Sequence, residues 1–159
     1  MSVKSTLLFF TCHCIFGSIY AQKWIPNKPD TLSIIALNDS AKTFWRTNPD
    51  STKFLAHKAL KASTESAYTS GIANSYNNLG AANFFVSNYD SAYHYWSLAL
   101  EQWQLTNNVR QEAKLYGNLA LALKEQNKTF EAIIYSRKAV DLRSKLNDSL
   151  QLGIGYNNL

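Results

Sequence analysis

The chain is poor in residues that cross-link or punctuate a fold. Of 159 residues, two are cysteine, three proline and six glycine. Both cysteines, Cys12 and Cys14, fall within the first 21 residues. From Gln22 to Leu159 there is thus no disulfide framework, no thiol nucleophile and no thiolate metal site. So little proline and glycine excludes collagen-like or linker-like character. There is no Gly-rich phosphate loop, no nucleophile elbow and no histidine pair at metal-ligand spacing. Carboxylates are scattered singly, so no acid–base pair stands out. No catalytic residue, metal ligand or cofactor is therefore assigned, and this stretch is not expected to be an enzyme. Charge is sparse as well. Charged residues make up 17% of the chain, and the net +5 is spread without a dense basic block. That reads as a solvated surface, with no nucleic-acid partner.

The first residues form a leader. Met1 to Lys4 carries one positive charge, and Ser5 to Tyr20 is apolar apart from Thr11, His13 and a few small residues. Ala21 is a small residue suited to a cleavage site. Charged start, apolar middle and small end read as a secretory signal peptide over residues 1–21. An uncleaved anchor is the alternative, although a membrane span needs about 20 apolar residues. Cys12-His13-Cys14 is then an incidental part of the leader rather than a metal cluster. Residues 22–30 read as a linker. Beyond them no apolar run of about 18 residues occurs, so a membrane is expected only through a segment further downstream.

What the chain does have is self-similarity. Tyr76-Asn77-Asn78-Leu79 returns as Tyr116-Gly117-Asn118-Leu119 and as Tyr156-Asn157-Asn158-Leu159, each time after 40 residues. Ala92 and Ala99 return as Ala132 and Ala139, and Thr52 and Ala59 hold those places one period earlier. Each period reads as two helices. Ile72, Tyr76, Leu79, Asn83 and Phe84 recur at helical spacing. After a break at Asn88, Tyr89, Ala92, Trp96, Ala99 and Leu100 make one apolar stripe. Thr106-Asn107-Asn108 and Asn127-Lys128 mark further breaks. Asn48-Pro49-Asp50 opens a helix, with Asn48 as N-cap and Pro49 at the first position, and Asn147-Asp148-Ser149 should do the same. The fixed alanines let helices approach closely. The pattern predicts an all-α fold, a right-handed α-solenoid of antiparallel helix pairs over residues 31–159. Its units are about 33–68, 69–108 and 109–148, with a partial unit 149–159 that reads as truncated inside a helix. The first helix, about Leu32 to Trp45, reads as out of phase with the others.

These residues resemble the tetratricopeptide repeat family. Tyr76, Leu79, Gly80, Tyr89, Ala92, Trp96 and Ala99 fall at its motif places, as do Tyr116, Leu119, Ala120, Ala132 and Ala139. Thr129 and Ser136 depart from it, and the period is 40 rather than about 34. The resemblance implies a groove on the first helices that holds a protein or peptide partner. Its ligand-contacting places would be Asn74 and Asn78, then Lys114 and Asn118, then Ile154 and Asn158. An asparagine can offer donor and acceptor to a peptide backbone, and a lysine can hold a carboxylate. The set resembles the carboxylate clamp of some members, with only one cation. The other reading is that Asn78, Asn118 and Asn158 fix the packing between units. Asn38, Asn127 and Asn147 fit the glycosylation pattern, although helix caps and turns explain them equally.

Two further groups have a bland reading. Phe84, Phe85, Tyr93, Tyr95, Trp96 and Trp103 could stack on bases or sugars, but at helical spacing they read as core. His57 and His94 read as solvated or packed helix residues. The function expected is an extracytoplasmic protein-interaction module. Repeats behind a signal peptide resemble the N-terminal sensing part of bacterial sensor histidine kinases and membrane-bound transcription regulators. A periplasmic scaffold without an output domain is the alternative, and an enzyme with its catalytic domain after the array is a third. A homodimer is compatible with the first.

Overall fold

A computed structural model describes residues 29–146, and these form six helices. They are α1 (Thr31–Thr43), α2 (Pro49–Glu65), α3 (Thr69–Phe85), α4 (Tyr89–Leu105), α5 (Val109–Glu125) and α6 (Thr129–Lys145). The leader, most of the linker, the helix start at Asn147 and the partial unit with Ile154 and Asn158 lie outside the described residues.

From α2 onward every helix has 17 residues, about 25 Å of rise. From α2 onward consecutive helices are joined by three residues, as at 66–68 and 86–88, whereas residues 44–48 join α1 to α2. Two helices and two such joints make up the 40-residue period. The joints share one geometry. The middle residue of each has positive φ: Ala67 (53°), Ser87 (60°), Asn107 (52°) and Asn127 (60°). In each joint the next N–H reaches back to the carbonyl five residues earlier, as in Tyr68 to Ser63 (2.8 Å) and Asn88 to Asn83 (2.9 Å). The positive-φ residue itself donates three residues back, Ala67 to Thr64 and Ser87 to Phe84. This double closure satisfies the carbonyls that a helix end leaves open. Asn48, Asn88 and Asn108 cap the following helices by accepting from the N–H of Ser51, Ser91 and Gln111.

The marker residues form the core. Ala59, Ala92, Ala99 and Ala139 are buried, as are Thr52 and Ala132. Thr52 donates to the Ala41 carbonyl at 3.1 Å, which joins α2 to α1. Trp96 and Trp103 are buried among Leu115, Leu119 and Ala122, with Phe84, Tyr93, Tyr116 and Tyr135 packed around them. Gly80 lies where α3 closely meets the Trp96 side chain of α4. A methyl group there would stand 2.4 Å from the Trp96 ring. The indole Nε1 of Trp96 in turn donates to the Asn77 carbonyl at 3.2 Å. Consecutive helices pack side by side, and α1 also touches α3. Among the described residues no helix is long and apolar enough to cross a membrane.

The first helix departs from the sequence expectation. It keeps the common phase, through Asn38, which stands 40 residues before Asn78 and is buried beside it. Ala36 and Asp39 replace the tyrosine and leucine of the other first helices, so the marker is reduced to one residue.

Left-handed backbone costs a residue with a side chain about 1–2 kcal/mol, and asparagine tolerates it best. Ala67 is the least suited of the four. Ala67→Gly is expected to raise stability by about 0.5–1 kcal/mol after the extra unfolded-state entropy of glycine is offset. Thermal unfolding of the two chains checks this.

Candidate functional site

The first helices α1, α3 and α5 stand side by side, and their facing side chains line a polar pocket of about 230 Å³. Its wall is Asn38, Asp39 and Lys42 from α1, Asn74, Asn77 and Asn78 from α3, and Gln111 and Lys114 from α5. The helices that precede and follow in each pair fix these backbones, so the pocket is set by the array rather than by a mobile loop.

A buried amide cluster forms one side. Asn78 donates to both the carbonyl and the Oδ1 of Asn38, each at 3.0 Å. Its own Oδ1 accepts the indole N–H of Trp45 at 2.9 Å. Asn38 Nδ2 donates to the Gly71 carbonyl at 3.3 Å, and the Ser75 hydroxyl lies 3.1 Å from Asn38 Oδ1. Both amide protons of Asn78 are therefore used within the fold. At the next interface Asn118 Nδ2 donates to Asn77 Oδ1 at 3.3 Å.

The cations form the other side. Lys114 is half-buried on α5, and its ammonium lies 5.8 Å from the centre of the Trp45 ring. Burial lowers its pKa from 10.5, and the nearby charge of Lys42 lowers it further. Two like charges thus converge on one polar space. Asp39 is the one carboxylate on the pocket wall, and it forms no described ion pair with either lysine.

The predicted residues divide accordingly. Asn74 and Lys114 line the pocket, and Asn74 has no hydrogen-bond partner among the described residues. Asn78 is buried and fully engaged in packing, which is the second of its two sequence readings. Asn118 is half-buried and bonded to Asn77. Asn158 lies outside the described residues. Asn38 is buried in mid-helix, so its glycosylation pattern is not a surface site. Of the aromatic residues, Trp96 and Trp103 are core, Phe84, Tyr93 and Tyr95 are half-buried, and Phe85 is 38% exposed. His57 and His94 are exposed on α2 and α4.

Sequence reasoning missed Asn38, Lys42, Trp45 and Gln111. Asn38 was discoverable, because Asn38, Asn78, Asn118 and Asn158 repeat at 40. Lys42 is one turn beyond Asn38, on the same face of α1, but holds no motif place. Trp45 lies past the end of α1 and reaches Asn78 only through the fold.

The tetratricopeptide repeat family model matches residues 71–145. Among solved structures, BtubC (BKLC) from P. vanneervenii is similar at 22% identity and a TM-score of 0.68. The match covers 88% of this chain and 61% of BtubC, so this chain spans less than two thirds of that one. The N-terminal domain of stress-induced protein-1 (STI-1) from C. elegans is similar at 17% identity and a TM-score of 0.60, over 79% of this chain and 94% of that one. At these identities the likeness is one of fold. A comparison with curated proteins finds no match.

Asn78→Ala is expected to destabilise the chain by about 2 kcal/mol, because it strands the Trp45 N–H and opens the Asn38 cluster. Denaturant titration would show it. Lys114→Met should act in the opposite direction. The protonated amine is disfavoured in the folded state, so stability rises as pH climbs through the lowered pKa toward 10.5. The variant's Tm should exceed the parent's by on the order of 2 °C at neutral pH. The difference should vanish near pH 11, once the parent amine is neutral in both states.

Proposed function

We propose that this array of tetratricopeptide repeats is an interaction module whose pocket between α1, α3 and α5 receives an acidic group of a partner protein. The observation that carries the reading is the convergence of Lys42 and Lys114 on one polar space without a paired carboxylate. A half-buried lysine beside a second lysine weakens the fold unless an anion neutralises it. Asn74 supplies an amide at the same wall, able to bond a partner's backbone in either direction. The sequence suggested a clamp with one cation, and Lys42 provides the second from a place outside the repeat motif.

The array acts outside the cytoplasm in this reading, as the N-terminal sensing or scaffolding part of a longer signalling protein. The leader over residues 1–21 supports export. Fusing residues 1–30 to a reporter that is active only after export tests that step separately. An inactive reporter would sink the extracytoplasmic assignment and leave the pocket reading intact.

The pocket reading is tested with acidic peptides and purified chain in low salt. Replacing Lys42 by alanine and Lys114 by methionine together should weaken binding about tenfold or more, through loss of charge-assisted hydrogen bonds. Raising the salt concentration should weaken the parent's binding and leave the variant's residual binding nearly unchanged. Equal affinity of parent and variant by calorimetry would overturn the assignment.

A further inference from the structure

We infer that a second pocket, between α1 and α2, is the seat of Trp24, so that the chain covers the open face of its own first unit. The inference is independent of the acidic-group reading above.

This pocket holds about 450 Å³ and is lined mostly by carbon. Pro29, Ala36 and Leu37 stand on one side, and Lys58 and Ala62 of α2 form the other. Ser33 and Ser40 complete the wall on α1. They stand 40 residues before Ala73 and Gly80 of the second unit. Ala73 and Gly80 are buried, whereas Ser33 and Ser40 are exposed. The cause lies on the second helices. Trp96 covers Gly80, and Trp96 and Trp103 share one core cluster with Ala73. In the first unit their places are held by Ala56 and Ser63. Two indoles are thus replaced by two small side chains, and the same stripe of α1 stays open.

The chain brings a large aromatic side chain to this opening. Lys23-Trp24-Ile25-Pro26-Asn27-Lys28 leads directly into Pro29, and cleavage after Ala21 would leave it in place. The Ser66 hydroxyl donates to the Pro29 carbonyl at 3.1 Å, which fastens this entry to the end of α2. Trp24 is five residues upstream, so an extended link reaches at most about 17 Å from the pocket wall. Ser33 and Ser40 are about 10 Å apart along the helix, which puts the whole pocket within that reach. A side chain tethered so closely acts at an effective concentration in the millimolar range, which a separate partner would have to exceed.

An indole also suits the wall chemically. Its carbon face matches Ala36, Leu37 and Ala62, and the Lys58 ammonium can lie over the ring. A buried indole N–H needs an acceptor. The Ser33 hydroxyl already donates to the Asp30 carbonyl at 2.6 Å, so its lone pairs remain to accept. Seating Trp24 adds a contact to α1, the helix that carries Asn38 and Lys42 into the polar pocket.

The test labels the chain with 5-fluorotryptophan, which gives one fluorine signal for each of its four tryptophans. Trp24→Phe assigns the Trp24 signal. That signal should lie away from its position in the urea-unfolded chain. Ala36→Glu, at an exposed helical position, should return it there. The signals of Trp45, Trp96 and Trp103 should stay in place, which shows the fold intact. Trp24→Ala should lower the Tm by about 5 °C in the parent and by little in the Ala36→Glu background. A Trp24 signal at the unfolded position in the folded parent would overturn the inference. So would a displaced signal that Ala36→Glu leaves unmoved. A displacement lost on dilution would assign Trp24 to the pocket of a second copy and overturn docking within one chain.

Discussion

The buried amide of Asn78 is the joint on which the groove depends. It ties α3 to α1 through two bonds to Asn38 and ties the end of α1 to α3 through the Trp45 indole. Buried polar groups stabilise a fold only when each is satisfied, and a partly satisfied cluster is worse than an apolar one. Here the satisfied arrangement fits one relative placement of the two helices. Sliding α1 by a turn would leave the Asn38 amide and the Trp45 N–H without partners. Packing of alanine against alanine lacks that discrimination, since small apolar surfaces fit in several registers. The same bond holds Trp45 where its ring centre lies 5.8 Å from the ammonium of Lys114. A structural hydrogen bond therefore also fixes where charge is presented.

This arrangement separates two roles that the repeat pattern mixes. The asparagines that recur at 40 are largely consumed by packing, as in Asn78 and Asn118. The pocket groups that the packing leaves available stand beside them, at Asn74, Lys42 and Lys114. A position that recurs in every unit does the same mechanical task in every unit. A position that changes from unit to unit, such as the one held by Asn74 and then Lys114, gives the pocket wall its chemical individuality.

The helix pairs and their spacing were legible because alanine and tyrosine markers report local packing, which repeats whenever the backbone repeats. Thr52, Ala59, Ala92, Ala99, Ala132 and Ala139 are all buried for that reason. The first helix was harder. Of the marker it keeps only Asn38, and one asparagine recurring at 40 is a thinner signal than a whole motif. The joint at Ala67 was also hidden, because its left-handed residue is neither glycine nor asparagine and only the backbone bonds reveal it. Within the site, Lys114 was legible from its motif place and Lys42 was not. Its relevance comes from the approach of α1 to α5 across α3, a distance that sequence spacing does not encode.

The left-handed residues recur every 20 positions, at Ala67, Ser87, Asn107 and Asn127, so the turn inside a unit and the turn between units are the same object. A gene encoding such a chain can gain or lose 40 codons starting from any point within the array, and the product still alternates helix and turn without a seam. The length of the array is consequently cheap to change by recombination. Each such event adds or removes one row of side chains along the first helices, so the chemistry of that surface can change by counting units as well as by exchanging residues.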